Sequence, residues 1–198
     1  SPLPSPPPRP ARPAPPLADL GLPILEWTTA GVDPAPAFTV AGLKASSAFR
    51  VDGGPWAGGA SVKRKGATSR LAFPKPKLRL SFPKPGLAGV WGPQDTAGTR
   101  SLDVNSLFGE VTGAPSSYVR EVAAFQAYRT LGGVPAPRAR HAVVVLNGDF
   151  WGLVALVERM DGAWLRRVRE AVPGGVVTSL DPGPGALLFK PEDATWAN

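Results

Sequence analysis

The sequence predicts an α+β fold, an antiparallel sheet with a packed helix, and three observations carry that prediction. Asn147-Gly148-Asp149 stands between two apolar runs, and Asn-Gly is the strongest local signal for a tight hairpin. Short aromatic and β-branched segments, broken by Pro and Gly, recur between Leu22 and Phe82. One helical pattern, Tyr118 to Leu131, separates those segments from the hairpin.

The elements follow in order. Residues Ser1 to Pro16 contain nine prolines in sixteen positions. No sheet or helix interior tolerates that, so residues 1–21 read as a disordered or polyproline-II tail. Its PxxP spacings could dock an SH3-like partner, but a plain linker is the favoured reading. The chain begins with Ser1 and reads as a processed or excised piece. The folded domain is expected over 22–198, incomplete at its C-terminus. Ile24 to Thr29 reads as the first strand, with short strands at Ala37–Val40 and Ala48–Val51. Asp52 to Gly59 is glycine-rich but lacks the spacing of a phosphate loop, so it reads as a turn.

Ser61 to Lys84 carries eight Lys or Arg and no acid. Within it Leu78, Leu80 and Phe82 alternate with Lys77, Arg79 and Ser81, so one face of a strand joins the core and the other presents cations. Gly86 to Gly98 reads as loop and Leu102 to Phe108 as a short apolar segment. The helix is expected to start from a Ser cap at Pro115-Ser116-Ser117. It should bury Tyr118, Val122, Phe125 and Leu131, and stop at Gly132-Gly133. The hairpin arms, Ala142–Leu146 and Phe150–Val157, are apolar almost throughout, which places them mid-sheet with layers on both sides. That run stops on a charge, Glu158. Asp161 is expected to cap a second helix bearing Trp164, Leu165, Val168 and Val172. Ala186 to Lys190 reads as a last strand.

Composition narrows the chemistry. With no cysteine there is no disulfide, thiolate metal site or Cys nucleophile, and one histidine, His141, excludes a multi-histidine metal centre. His141 enters a strand and reads as structural. No apolar run approaches the ~20 residues of a transmembrane helix, so no transmembrane segment is expected. Net charge is +7 and the pI about 10.2, with the excess concentrated in 61–84. Three readings of that stretch follow: a solvated basic face, an anion site in which Lys65, Arg70, Lys75, Lys77 and Arg79 converge on phosphate oxygens, or a nucleic-acid surface. Nucleic acid is disfavoured, because only Phe73 and Phe82 interleave the cations and Phe82 belongs to the core.

Six segments, in one order, resemble the spore-coat protein H (CotH) kinase family, in its N-terminal portion only. They are Lys65-Gly66-Ala67-Thr68-Ser69-Arg70, Pro74 to Leu80, Ser117-Tyr118-Val119-Arg120-Glu121, Gly133 to Arg138, Leu146 to Glu158, and Phe189-Lys190. The resemblance spans about Ser61 to Trp196. It implies an atypical protein-kinase-like N-lobe with a truncated second lobe. The activity it implies is ATP- and Mg²⁺-dependent phosphoryl transfer to protein Ser/Thr in the intact parent. By the same resemblance, Lys77 or Lys75 is the phosphate lysine and Glu121 its helix partner. Arg70 supports the site, Glu158-Arg159-Met160 form the hinge against which adenine stacks, and Lys190 lies across the cleft. The chain departs from the family pattern in three places: Lys65 stands where Arg is usual, Pro76 splits the usual lysine pair, and Val154 replaces an aromatic. Nor does it carry DxD, HRD or DFG, and Glu170, Asp181, Glu192 and Asp193 lack metal-site spacing. No catalytic residue or metal ligand is therefore assigned, and this chain alone is expected to be inactive. The alternative is a non-catalytic interaction module that binds acidic partners through the basic 63–84 strand pair.

Overall fold

The Asn-Gly turn forms where the sequence places it. In a computed structural model of the chain, which describes residues 20–29, 47–65, 77–106, 118–131 and 135–171, Asn147 and Gly148 take φ of 51° and 93°. Both central residues of this tight hairpin turn need positive φ, which suits the Asn-Gly pair. It joins β6 (Ala139–Leu146) to β7 (Asp149–Glu158). Between Val144 and Val145 the register slips by one residue around Trp151. Gly152, at φ 139°, makes that bulge, and Trp151 turns its ring edge toward Trp27.

Among the described residues five further strands join one sheet: β1 (Ile24–Thr29), β2 (Ser47–Val51), β3 (Ser61–Lys65), β4 (Lys77–Ser81) and β5 (Ser101–Asn105). Their order is β2-β1-β6-β7-β5-β4-β3. The hairpin is thus interior, as its continuous apolar arms require. The sheet is mixed rather than wholly antiparallel, because β1 runs parallel to β6. Asn147 fixes that pairing: its amide nitrogen donates to the Trp27 carbonyl and its side-chain oxygen accepts from Thr29 N–H. A sequence-local pattern specifies hairpins but says nothing about a strand arriving from a hundred residues away.

The edge strands β2 and β3 are consecutive in sequence, joined by residues 52–60 alone. The sheet therefore curls until Ala60 N–H reaches the Ser47 carbonyl. Its inner face encloses the main core. Trp27 stacks on Phe49 at 5.3 Å, and Phe82 meets Phe49 edge-on at 5.5 Å. Leu78, Leu80, Leu102, Val104, Val144 and Leu156 fill the rest. Leu78, Leu80 and Phe82 point inward as their alternation predicts.

The outer face of β6 and β7 carries the first helix, α1 (Arg120–Thr130). Its packing is lighter than the sequence implies. Val122 is buried and Phe125 partly so, against Ala139, Ala155 and Val157. Tyr118 is exposed and Leu131 is 87% exposed, so the expected four-residue apolar face is two residues wide. Among the described residues Val119 holds the N-cap position without a side-chain hydrogen bond; Ser116 and Ser117, and the Gly132-Gly133 stop, lie outside the described residues. His141 ties this end down instead. Its Nε2–H donates to the Tyr118 carbonyl at 2.6 Å, a structural role. The second helix, α2 (Gly162–Ala171), is capped as expected, with Asp161 Oδ1 accepting from Ala163 and Trp164 N–H. Among the described residues no helix is long and apolar enough to cross a membrane. The proline-rich tail, the strands expected at Ala37–Val40 and Ala186–Lys190, and Val172 lie outside the described residues.

Candidate functional site

The face of β3, β4 and β5 turned away from the main core is a row of ions, and ladder registry lays it out. Lys63, Arg79 and Asp103 stand abreast, and Lys65 pairs with Lys77 in the next rank. Paired residues share a face, so the cations alternate outward while Val62, Leu78 and Leu80 go in. Asp103 is only 5% exposed. Lys65 Nζ donates to its Oδ2 at 2.5 Å, and Arg79 Nε donates to Oδ1 at 2.9 Å. Burial pushes the Asp103 carboxyl up, but the hydrogen bonds from Arg79 and Lys65 outweigh it, so the group lies below the ordinary aspartate value. Hydrogen bonding to Asp103 holds the Arg79 guanidinium above its ordinary value, against burial, and the negative field of Asp161 reaches it too. Among the described residues four cations, Lys63, Lys65, Lys77 and Arg79, face one carboxylate, and the surplus charge suits an anion.

Beyond Asp103 on the same face lies Asn105, whose Nδ2 donates to Glu121 Oε1 of α1 at 2.5 Å. The strand entering the helix connection is thus linked to that helix by an amide and a carboxylate.

The other end of β5 opens on a second feature. A cleft of about 530 Å³ is lined by Ser81, Ser101, Glu158, Arg159, Trp164 and Arg167, among others. Glu158, 8% exposed, closes β7 and binds two arginines. Arg167 of α2 grips it through Nε at 2.8 Å and Nη2 at 2.5 Å. Arg138 reaches it through its backbone N–H at 3.0 Å and its guanidinium at 3.0 and 3.2 Å, and stacks on Trp91 at 4.8 Å. Such fork-to-fork pairing is strong and directional. The charge that ends the apolar run is therefore the junction of β6, β7 and α2.

Lys77 begins β4 opposite Lys65. Glu121 lies in the first turn of α1 but meets Asn105, and neither Lys77 nor Glu121 forms an ion pair with a described residue. The Glu158 carboxylate is filled by arginines. Met160 is half exposed beside it. Arg70, Lys75 and Lys190 lie outside the described residues. Sequence reasoning missed Asp103, Asn105 and the Arg138–Glu158–Arg167 clamp as site features. The signal for the first two was present: Leu102 and Val104 alternate with Ser101, Asp103 and Asn105, a strand pattern within what reads as an apolar segment. Among the described residues no group of three or more His, Asp or Glu could hold a metal. The donor-rich row fits phosphate oxygens and does not fit Mg²⁺, which needs oxygen ligands.

A family model described as CotH kinase protein matches residues 62–181, from β3 through α2 and beyond. The chain belongs to the CotH kinase family. The matched region contains both the ion row and the arginine clamp, while β1 and β2 precede it. No curated protein matches the chain.

Proposed function

We propose that this CotH-family chain forms the nucleotide-side half of an atypical protein kinase. The parent would transfer phosphoryl from ATP to protein Ser or Thr. The observation that carries the reading is the ion row beside a helix. Strands β3-β4-β5-β7-β6 form a continuous antiparallel run, and α1 is inserted between β5 and β6; a kinase likewise sets a strand lysine against a helix glutamate, which supports the reading. The cations lie on the α1 side. Five-residue β5 spans about 13 Å from Ser101 at the cleft to Asn105, comparable to an extended nucleoside triphosphate. On this reading the cleft beside Glu158 and Arg159 takes the base, and Lys65, Lys77 and Arg79 face the phosphates.

Phosphoryl transfer depends chiefly on positioning and charge neutralisation. Bound Mg²⁺ would neutralise phosphate charge; its ligands would come from outside the described residues, so the proposal for this chain is nucleotide binding without turnover. Millimolar ATP with Mg²⁺ should raise the melting temperature, as mass action requires of any ligand that binds only the folded state. Lys77→Ala should remove that rise. An unchanged melting temperature in the parent chain refutes the reading.

A second reading has one observation behind it: Lys63 and Lys77 have no acidic partner among the described residues. An interaction module for acidic partners would bind a polyanion with a steep salt slope and show no nucleotide effect.

A further inference from the structure

Asn105 is 5% exposed at the end of β5. Its amide orientation is fixed by its neighbour: the Glu121 carboxylate only accepts, so the nitrogen must face it. The side-chain oxygen is thereby turned away, and it is buried without a partner among the described residues. Buried acceptors are nearly always satisfied, so this one needs a donor.

Registry supplies a candidate. Leu78 pairs with Val104, so the next rank sets Lys77 opposite Asn105. Directly opposed β-carbons lie about 4.5–5.5 Å apart, and a lysine stem reaches further than that. Lys77 has no hydrogen-bond or ion-pair partner among the described residues. Its neighbour on the other side, Lys65, is a like charge already held by Asp103.

We propose that Asn105 is a positioning residue that bridges Lys77 to Glu121, the ammonium donating to Asn105 Oδ1 while Asn105 Nδ2 donates to the carboxylate. The bridge rests on the nucleotide reading for its purpose, though not for its existence. A direct strand–helix ion pair would neutralise the lysine, whereas an amide relay orients it and leaves its charge directed at an incoming phosphate. It also couples the position of α1 to that of the lysine.

The experiment follows the Asn105 side-chain amide by ¹⁵N NMR in the ligand-free chain. Both Glu121→Gln and Lys77→Met should move its resonances, with Lys63→Met as a control that leaves them in place. A resonance that ignores Lys77→Met overturns the bridge. A thermal-shift arm with ATP and Mg²⁺ separates the two claims. If Lys77→Met moves the amide while ATP has no effect on the parent, the bridge stands and the nucleotide reading falls. If ATP binds the parent and Asn105→Leu binds it as tightly, the bridge has no role in positioning and the proposal is overturned.

Discussion

Replacing Asp103 with Asn keeps the shape of the side chain and removes its charge, in the middle of four cations. The carboxylate is 8% exposed, while Lys65 and Arg79 are about a third exposed. Breaking a fully buried pair costs about 3–5 kcal/mol. Here both cations rehydrate once released, so the loss falls to roughly 2–3 kcal/mol. For a chain of this size that is a fall in melting temperature of about 4–12 °C. Two dependences accompany it. Lys63, Lys65, Lys77 and Arg79 repel one another in the variant, so added NaCl should narrow the gap as the screening length shrinks. The pH dependence follows from the lowered Asp103 pKa. Its stabilisation is complete above the unfolded value of 3.8 and is lost as pH falls through the lower folded value. The gap between parent and variant should therefore be constant near neutrality and close in acid below pH 3.8. Melting followed by circular dichroism across pH and salt checks all three. A variant that melts with its parent at pH 7 and low salt refutes the reasoning, and so does a gap that widens with salt.

Gly98→Ala places a Cβ 2.4 Å from the Pro85 carbonyl oxygen at φ +73°, and urea unfolding should show a loss of about 2–4 kcal/mol. Glu158→Gln removes the charge that holds Arg138 to Arg167. Trypsin should then cut at Arg167 faster than in the parent, with global stability lowered by roughly 2–3 kcal/mol; equal cleavage rates count against the clamp. Asp161→Ala deletes the α2 cap and should cost about 1 kcal/mol with a small drop in helical ellipticity.

Local chemistry was readable and distant pairing was not. The Asn147-Gly148 turn, the alternation from Leu78 to Phe82 and the Asp161 cap each depend on residues within a few positions of one another, and each stands as read. The parallel β1–β6 pair and the curl that brings Ala60 to Ser47 depend on contacts that no periodicity encodes. For α1, the spacing of Tyr118, Val122, Phe125 and Leu131 over-predicted the buried face. The surface beneath it is built from Ala139 and Ala155 beside Val157, and of the helix only Val122 and Phe125 pack on it. The site divides the same way. The cations of 61–84 announce themselves by composition, but their counter-charge is one acid in another strand, and registry alone brings Asp103 between Lys65 and Arg79.

An acid at the centre of a cation row looks like a flaw in an anion site, since it cancels charge the ligand would use. Its burial argues otherwise. Long basic side chains lose up to about 2 kcal/mol of rotamer freedom when they are fixed, and a ligand meeting free lysines must supply that cost. Asp103 has already ordered Lys65 and Arg79, and it does so from beneath, because its carboxylate is covered while the basic side chains are about a third exposed. Removing it would add a net positive charge and subtract order. On the nucleotide reading these effects oppose each other in Asp103→Asn, and salt separates them. At low ionic strength the extra charge dominates and ATP binds at least as well as to the parent. At 0.5 M NaCl the charge is screened, the lost order remains, and ATP binding should fall below the parent's. If the variant binds more tightly at both salt concentrations, the acid is only a counter-ion and orders nothing.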